Sequence, residues 1–317
     1  MTVIPFICLA IGIGLGVKFR NKKFLMTIDR TSTAALVLLM LVIGIGVGGD
    51  ENLLKQFPKI GLNCIVIAIM AIACSVAFTY ICEKTILPLK QFHEDNEDLA
   101  NHMEAVEEAP GSSPLVWIMP SSIVVGIIIG FAFKEFFQET LLDNLLTFAL
   151  IILYICVGIS QGATEGIFRY LKKLGLRILI LPAAILIGSL TGGILAAVLL
   201  NIRPEASILA AGGMSFYSIT GAYMTQAYGI EIGTYGFIVN VLRETFTVLF
   251  LPLLIKISPG SAIAGGAAGN MDTMLAPVTK FVGPRLGFVT LVTGTILTLI
   301  VPFLLPVLGS IVEYVEA

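Results

Sequence analysis

Three charged side chains lie inside otherwise apolar sequence in the C-terminal third of this 317-residue chain: Arg243 and Glu244 in IVNVLRETFTVLF, and Asp272 in GGAAGNMDTMLAPVT. A charge at the centre of a bilayer costs about 3 kcal/mol even on lenient scales, so ionisable groups at that depth are candidates for function. Glu244 and Asn240 are four residues apart and share a helical face, with Arg243 rotated about 100° away. A lone carboxylate in a low-dielectric site picks up a proton unless a cation or hydrogen-bond donors hold it ionised. A proton and a substrate ammonium competing for one carboxylate is the device that proton-coupled antiport requires. Arg243 has two readings, a substrate contact or a pin that holds hairpin and helix together through Asp272 or backbone carbonyls; one arginine cannot neutralise both acids.

The flanking segments are rich in glycine and hydroxyl or amide side chains. Ser215, Tyr217, Ser218, Asn240, Asn270 and Thr273 supply hydrogen-bonding groups. Gly212, Gly213, Gly265, Gly266 and Gly269 let backbone N–H groups at half-helix starts approach an anion such as a substrate carboxylate, or serve as packing devices between helices. These residues, with Glu244, Asp272 and Arg243, form the candidate substrate and proton site.

Composition fixes the solvent in which this chemistry takes place. The chain is 57% apolar and 13% charged, with a formal net charge of −2 and a mean hydropathy of +0.97. These values describe a polytopic membrane protein in contact with lipid and exclude a basic nucleic-acid-binding surface. Cys8, Cys64, Cys74, Cys82 and Cys156 are odd in number and lie in or beside apolar runs, so they read as core residues rather than a disulfide framework. The N-terminal MTVIPFICLAIGIGLG lacks a signal-peptide pattern and is predicted to span. There is no HExxH or GxGD motif, and the two histidines, His93 and His102, lie in a hydrophilic tether, so neither an enzyme nor a metal site is expected.

Runs of about 20 apolar residues predict spanning helices near 2–17, 31–49, 60–82, 114–133, 144–163, 175–200, 231–255 and 286–312. Segments 206–228 and 259–281 are apolar but interrupted by Gly, Ser, Thr, Asn, Asp and Pro. Non-helical backbone at membrane depth persists only where protein or water satisfies it, so these read as re-entrant hairpins facing a cavity, or else as two irregular spanning helices. Lysine and arginine concentrate in the loops that face inside when both termini are outside, which predicts N-out and C-out topology.

Two internal repeats organise the chain. At a shift of 114, Gly12, Gly16, Asp29, Gly44, Gly48, Glu51 and Ser75 fall on Gly126, Gly130, Asp143, Gly158, Gly162, Glu165 and Ser189, and roughly 16 of the 51 positions from 12 to 62 are identical. Each copy holds three crossings, so the second sits upside down. At a shift of 54, Ser207, Gly212, Thr225, Gly229 and Gly233 fall on Ser261, Gly266, Thr279, Gly283 and Gly287. The same shift sets Ser218 against Asp272, an asymmetry suited to an asymmetric ligand. The predicted fold is therefore an all-α polytopic membrane protein with two nested inverted-topology repeats. Residues 1–82 form a first scaffold repeat, 83–113 an acidic cytoplasmic linker, 114–200 a second, inverted scaffold repeat and 201–317 a transport core of two hairpin–helix units. Gly44, Gly48, Gly158 and Gly162 are expected to pack helices closely. Asp29 and Asp143 are expected to cap the second helix of each repeat, and Glu51 and Glu165 to be solvated loop acids.

GGMSFYS (Gly212–Ser218), NVLRE (Asn240–Glu244) and GGAAGNMDT (Gly265–Thr273) resemble the signature segments of the bacterial lysine exporter LysO family, and the likeness extends over nearly the whole chain. The resemblance implies an inner-membrane exporter of lysine and its toxic analogues whose embedded acids, Glu244 and Asp272 here, are needed for activity. Phe216, where some relatives carry Trp, and the longer acidic linker depart from the pattern. Lysine carries net charge +1, so exporting it against an inside-negative potential requires about 2.3 kcal/mol per 100 mV. Export therefore demands coupling. A proton is the expected coupling ion, sodium the alternative, and no cofactor is needed. The rival reading is a sodium-coupled or organic-anion transporter of related architecture with Arg243 as an anion clamp. Flat Gly-rich faces are compatible with a homodimer.

Overall fold

The computed structural model describes residues 4–19, 22–87, 89, 115–133, 136–137, 139–163 and 176–316. Of the expected linker over 83–113, residues 83–85 belong to the end of a helix, and 88 and 90–113 lie outside the described residues, as do Glu165 and the basic residues Arg169, Lys172 and Lys173. Among the described residues there is no strand. The chain forms α1 (Ile4–Lys18), α2 (Lys22–Gly49), α3 (Glu51–Thr85), α4 (Leu115–Ala132), α5 (Glu139–Ala163) and α6 (Ile180–Leu200), the last preceded by a 3₁₀ turn over Leu176–Leu179. A π-helical turn (Glu205–Leu209) then runs into α7 (Ala210–Gly212), followed by α8 (Tyr217–Tyr228) and α9 (Ile230–Ile257). Next come α10 (Pro259–Gly266), a 3₁₀ turn (Ala267–Met271), α11 (Leu275–Val282) and α12 (Pro284–Glu316).

Six stretches among the described residues are long and apolar enough to cross a bilayer: Phe24–Gly49, Leu54–Thr85, Thr140–Ser160, Arg177–Leu200, Ile230–Ile257 and Leu286–Tyr314. The apolar parts of α1 and α4, Ile7–Lys18 and Ser121–Ala132, are shorter. Backbone polar groups can be satisfied across hydrocarbon by helices of this kind, and the chain is a multi-pass membrane protein.

Several helices are longer than their apolar runs predict. The second begins at Lys22 rather than 31, the third covers Glu51–Thr85 rather than 60–82, and the fifth begins at Glu139 rather than 144. The hydropathy window ends where charge begins, but no helix breaker stops KKFLMTIDR or ETLLD from continuing the ladder. This overturns the capping role expected of Asp29 and Asp143, since both lie inside helices. Asp29 is exposed, and its carbonyl accepts the Thr33 hydroxyl at 2.9 Å.

The residues divide into two compact units. One contains 1–61, 114–166 and 221–234; the other contains 62–113, 167–220 and 235–317. In the first unit the expected glycine packing is present. A Cβ added to Gly12 on α1 would lie 2.9 Å from Gly158 Cα on α5, and one added to Gly126 on α4 would lie 2.9 Å from Gly44 Cα on α2. Advancing one residue of a pair by 114 and setting the other back by 114 converts one contact into the other. Gly16 with Ile159 and Gly130 with Ile45 repeat the relation one turn further along. Backbones this close leave no space for a side chain, which is why small residues recur every four positions.

In the second unit the part of α3 from Leu62 onward packs with α6 and the C-terminal helices. Ser75 and Ser189, themselves 114 apart, touch through their hydroxyls at 3.0 Å. The segments predicted to be broken are broken, at 213–216 and across 267–274. The two breaks meet where Ala268 N–H donates to Met214 O at 2.9 Å, again between residues related by a repeat shift, this time 54. Gly229 and Gly283, also 54 apart, share a φ of 86°, a left-handed conformation that glycine adopts without strain and that turns α8 into α9 and α11 into α12.

Candidate functional site at the broken helices

Along α9, Asn240, Arg243, Glu244 and Thr247 occur at i, i+3, i+4 and i+7, the spacing that normally carries a core-facing apolar stripe. Here that stripe is polar and still buried, with Asn240 at 0%, Arg243 at 1%, Glu244 at 6% and Thr247 at 0% exposure. Each member is matched to one of the two breaks.

Asn240 organises the first. Its Nδ2 donates to Ala210 O at 2.9 Å and Gly236 O at 2.7 Å, and its Oδ1 accepts Ser215 N–H at 2.7 Å. Side-chain and backbone groups freed by the break are thereby satisfied. Met214 and Ser215 take positive φ values of 50° and 75°, and a Cβ on Gly213 would lie 2.6 Å from Asn240 Nδ2. Gly212 faces Leu308 and Leu190, so it serves packing.

The second break starts from a well-formed helix. Ser258 caps α10 by accepting Ser261 N–H at 3.0 Å, with Pro259 at the first helical position, where its missing N–H is harmless. Glu83 at the end of α3 accepts Gly260 N–H at 3.1 Å, a cross-helix cap that sequence reading missed. At the far end of α10, Gly265 packs against Thr247, and Asn270 donates from Nδ2 to Ile263 O at 2.7 Å, its Oδ1 lying against Gly266. Past the break, Thr273 donates its hydroxyl to Glu244 Oε1 at 2.8 Å. Gly269 is what lets the carboxylate sit there, because a Cβ on it would be 2.8 Å from that oxygen and 3.5 Å from Ser215 Cβ.

Asp272 is exposed and accepts Thr273 N–H at 2.5 Å. Both Asp272 and Tyr217 lie within electrostatic reach of Glu244. Tyr217 stacks edge-on against Phe237, ring centroids 5.6 Å apart. The structure therefore brings Glu244, Thr273, Asp272, Tyr217 and Ser215 to one locality, with Asn240 and Asn270 behind the two breaks. Ser218 is buried at 5% exposure on α8. Two buried polar atoms of this set, Ser215 Oγ and Asn270 Oδ1, have no hydrogen-bond partner among the described residues. Among the described residues no group of three His, Cys, Asp or Glu side chains is placed to hold a metal ion.

Arg243 is occupied differently. Its Nη1 donates to Ser189 Oγ at 2.6 Å, its Nη2 to Ser75 Oγ at 3.2 Å and Ala264 O at 3.1 Å, and its Nε to Gly265 O at 3.3 Å. Neither acid is among these partners. Ser75 and Ser189 were visible in the sequence as a repeat-related pair, yet only their meeting in space reveals them as acceptors for this cation. Thr298 also went unnoticed; 54 residues after Glu244, its hydroxyl reaches Ala268 O at 3.1 Å.

Comparison with known proteins agrees with these motifs. A protein from Escherichia coli strain K12 named lysine exporter LysO is 29% identical over 183 residues, covering 58% of this chain and 60% of that protein. The chain thus spans less than two thirds of that relative's length. A Haemophilus influenzae protein named as a candidate lysine exporter is 26% identical over 190 residues, covering 60% of this chain and 96% of its own. The family model described as lysine exporter LysO matches residues 6–93 and 121–309, taking in both scaffold segments and both breaks, and the chain belongs to the lysine exporter LysO family.

Proposed function

We propose that this protein is a secondary active transporter that exports L-lysine and related basic amino acids across the inner membrane, using the carboxylates of Glu244 and Asp272 for the substrate ammonium and the coupling proton. The observation that carries this reading is a 6%-exposed carboxylate, Glu244, whose side-chain hydrogen bond comes from a neutral hydroxyl rather than a buried cation. In low dielectric such a group favours a bound proton or a bound cation over neither. Its neighbours suit a primary ammonium: the second carboxylate of Asp272, the Tyr217 ring, and the Ser215 hydroxyl, which has no hydrogen-bond partner among the described residues. Exchange of proton for lysine at one carboxylate makes outward movement of lysine obligatory with inward movement of a proton.

The architecture in this proposal is eight crossings plus two re-entrant hairpins, N-out and C-out, built from inverted pairs. The reciprocal exchange of glycine contacts at a shift of 114 supports a two-fold relation between the scaffold halves, and the Met214–Ala268 contact supports a second one between the hairpins. An organic-anion reading has less support, because the guanidinium that would clamp the anion is already committed to two hydroxyls and two carbonyls.

The test is efflux of labelled lysine from proteoliposomes under an imposed pH gradient and, separately, an imposed sodium gradient. Proton-driven efflux in the absence of sodium supports the proposal. Efflux driven by sodium alone overturns the coupling, and absence of lysine movement under either gradient overturns the substrate.

A further inference from the structure

Arg243 is the largest fully buried side chain in the described residues and makes no ion pair among them. A guanidinium has five N–H bonds in a rigid planar fork, and four of these are directed at the two serines and two carbonyls. The carbonyls, Ala264 and Gly265, are at the C-terminal end of α10, where helical C=O groups lack intrahelical partners and the dipole is negative. The serines come from α3 and α6 and touch each other. One side chain on α9 therefore joins the α3–α6 contact to the last turn before the second break.

The next residue on α9, Glu244, holds Thr273 on the other side of that same break. Consecutive residues of one helix thus grip the unwound segment 267–272 from both ends. We propose that Arg243 is a positioning residue: it contacts no substrate, and fixes the second break against α3 and α6 so that Glu244 and Thr273 stay in register. The serine pair is part of the device. Lysine cannot replace the arginine, since three donors on a single nitrogen cannot span two hydroxyls on one side and two successive carbonyls on the other.

The amide-exchange part of the test stands apart from the lysine assignment. Purified full-length wild type, R243K and the S75A/S189A double variant are compared by amide hydrogen exchange and by lysine counterflow in proteoliposomes. Exchange over residues 264–274 rises about tenfold in both variants, as expected when a set of hydrogen bonds to one charged group is lost. Maximal counterflow falls about tenfold while the KM for lysine stays within about twofold, the pattern of a lost geometry rather than a lost substrate contact. The R243K/S75A/S189A triple variant is no worse than R243K alone, because all act through one cluster.

A rise in KM of about tenfold in R243K with an S75A/S189A variant like wild type would place the guanidinium on the substrate and overturn the proposal. Unchanged exchange over 264–274 in S75A/S189A would also overturn it, and this arm decides the matter if R243K does not fold. Failure of wild type to exchange lysine would instead sink the functional reading, leaving the positioning role to be judged by amide exchange.

Discussion

Substituting Gly269 by alanine adds one methyl group beside the carboxylate at the centre of the proposed mechanism. That Cβ would stand 2.8 Å from Glu244 Oε1, 3.0 Å from Met274 Cγ and 3.5 Å from Ser215 Cβ. The first two neighbours are flexible side chains, and the Gly269 backbone is not left-handed, so the fold absorbs the change. Loss of a glycine in fact removes about 0.4–1 kcal/mol of unfolded-state freedom. What cannot be kept is the position of Oε1, which also accepts the Thr273 hydroxyl at 2.8 Å. A hydrogen bond to a charged group contributes roughly 1.5–3 kcal/mol, so moving it away lowers lysine transport about 10- to 150-fold. The expected result is a dissociation between two measurements on one purified protein: a melting temperature within a few degrees of wild type and lysine efflux reduced by at least tenfold. Efflux at the wild-type rate with unchanged melting would refute the claim that the Glu244–Thr273 geometry matters to transport.

Gly126→Ala makes the opposite prediction, because its Cβ would meet the Gly44 backbone at 2.9 Å; overpacking of this kind costs about 1–3 kcal/mol and is read as a lowered melting temperature. Glu244→Gln is expected to abolish lysine efflux with normal membrane insertion, and retained efflux would remove that residue from the mechanism. Asp272→Asn, at an exposed position, is expected to lose efflux while leaving melting unchanged; a destabilised but active protein would assign it to folding instead. A protease site placed at Ala317 in right-side-out vesicles is expected to be cut from outside, and protection would reverse the proposed orientation.

Much of the site was legible in the sequence, and the reason is the solvent. In a chain this apolar, an acid, an amide or an interrupted helix needs an explanation, so Glu244, Asn240, Asn270 and both breaks stood out before any geometry was known. The arginine's partners did not, because two serines are ordinary residues on α3 and α6 and acquire meaning only where a repeat brings them together. Glu83 was hidden for a similar reason: it reads as the polar end of a helix, and only the approach of Gly260 reveals it as a cap. The long helices were underestimated because hydropathy measures solvent preference while hydrogen bonding sets where a helix ends. Asp29 shows the difference, exposed and polar yet well inside α2.

Each of the three charges is present in only one copy of the repeat, two in the first and one in the second. Under the 54-residue shift Arg243 corresponds to Leu297, Glu244 to Thr298 and Asp272 to Ser218. Thr298 uses its hydroxyl on Ala268 O, bracing the backbone where its counterpart Glu244 engages Thr273 beyond the break. Two symmetric acids facing one chamber would each raise the proton affinity of the other and hold lysine too firmly to release it. Giving each acid a neutral counterpart, Thr298 for Glu244 and Ser218 for Asp272, avoids that trap, retaining the paired backbone geometry while leaving a net charge that a proton or one ammonium can balance. Duplication supplies the two breaks; loss of symmetry at three positions gives the proposed binding site its charge.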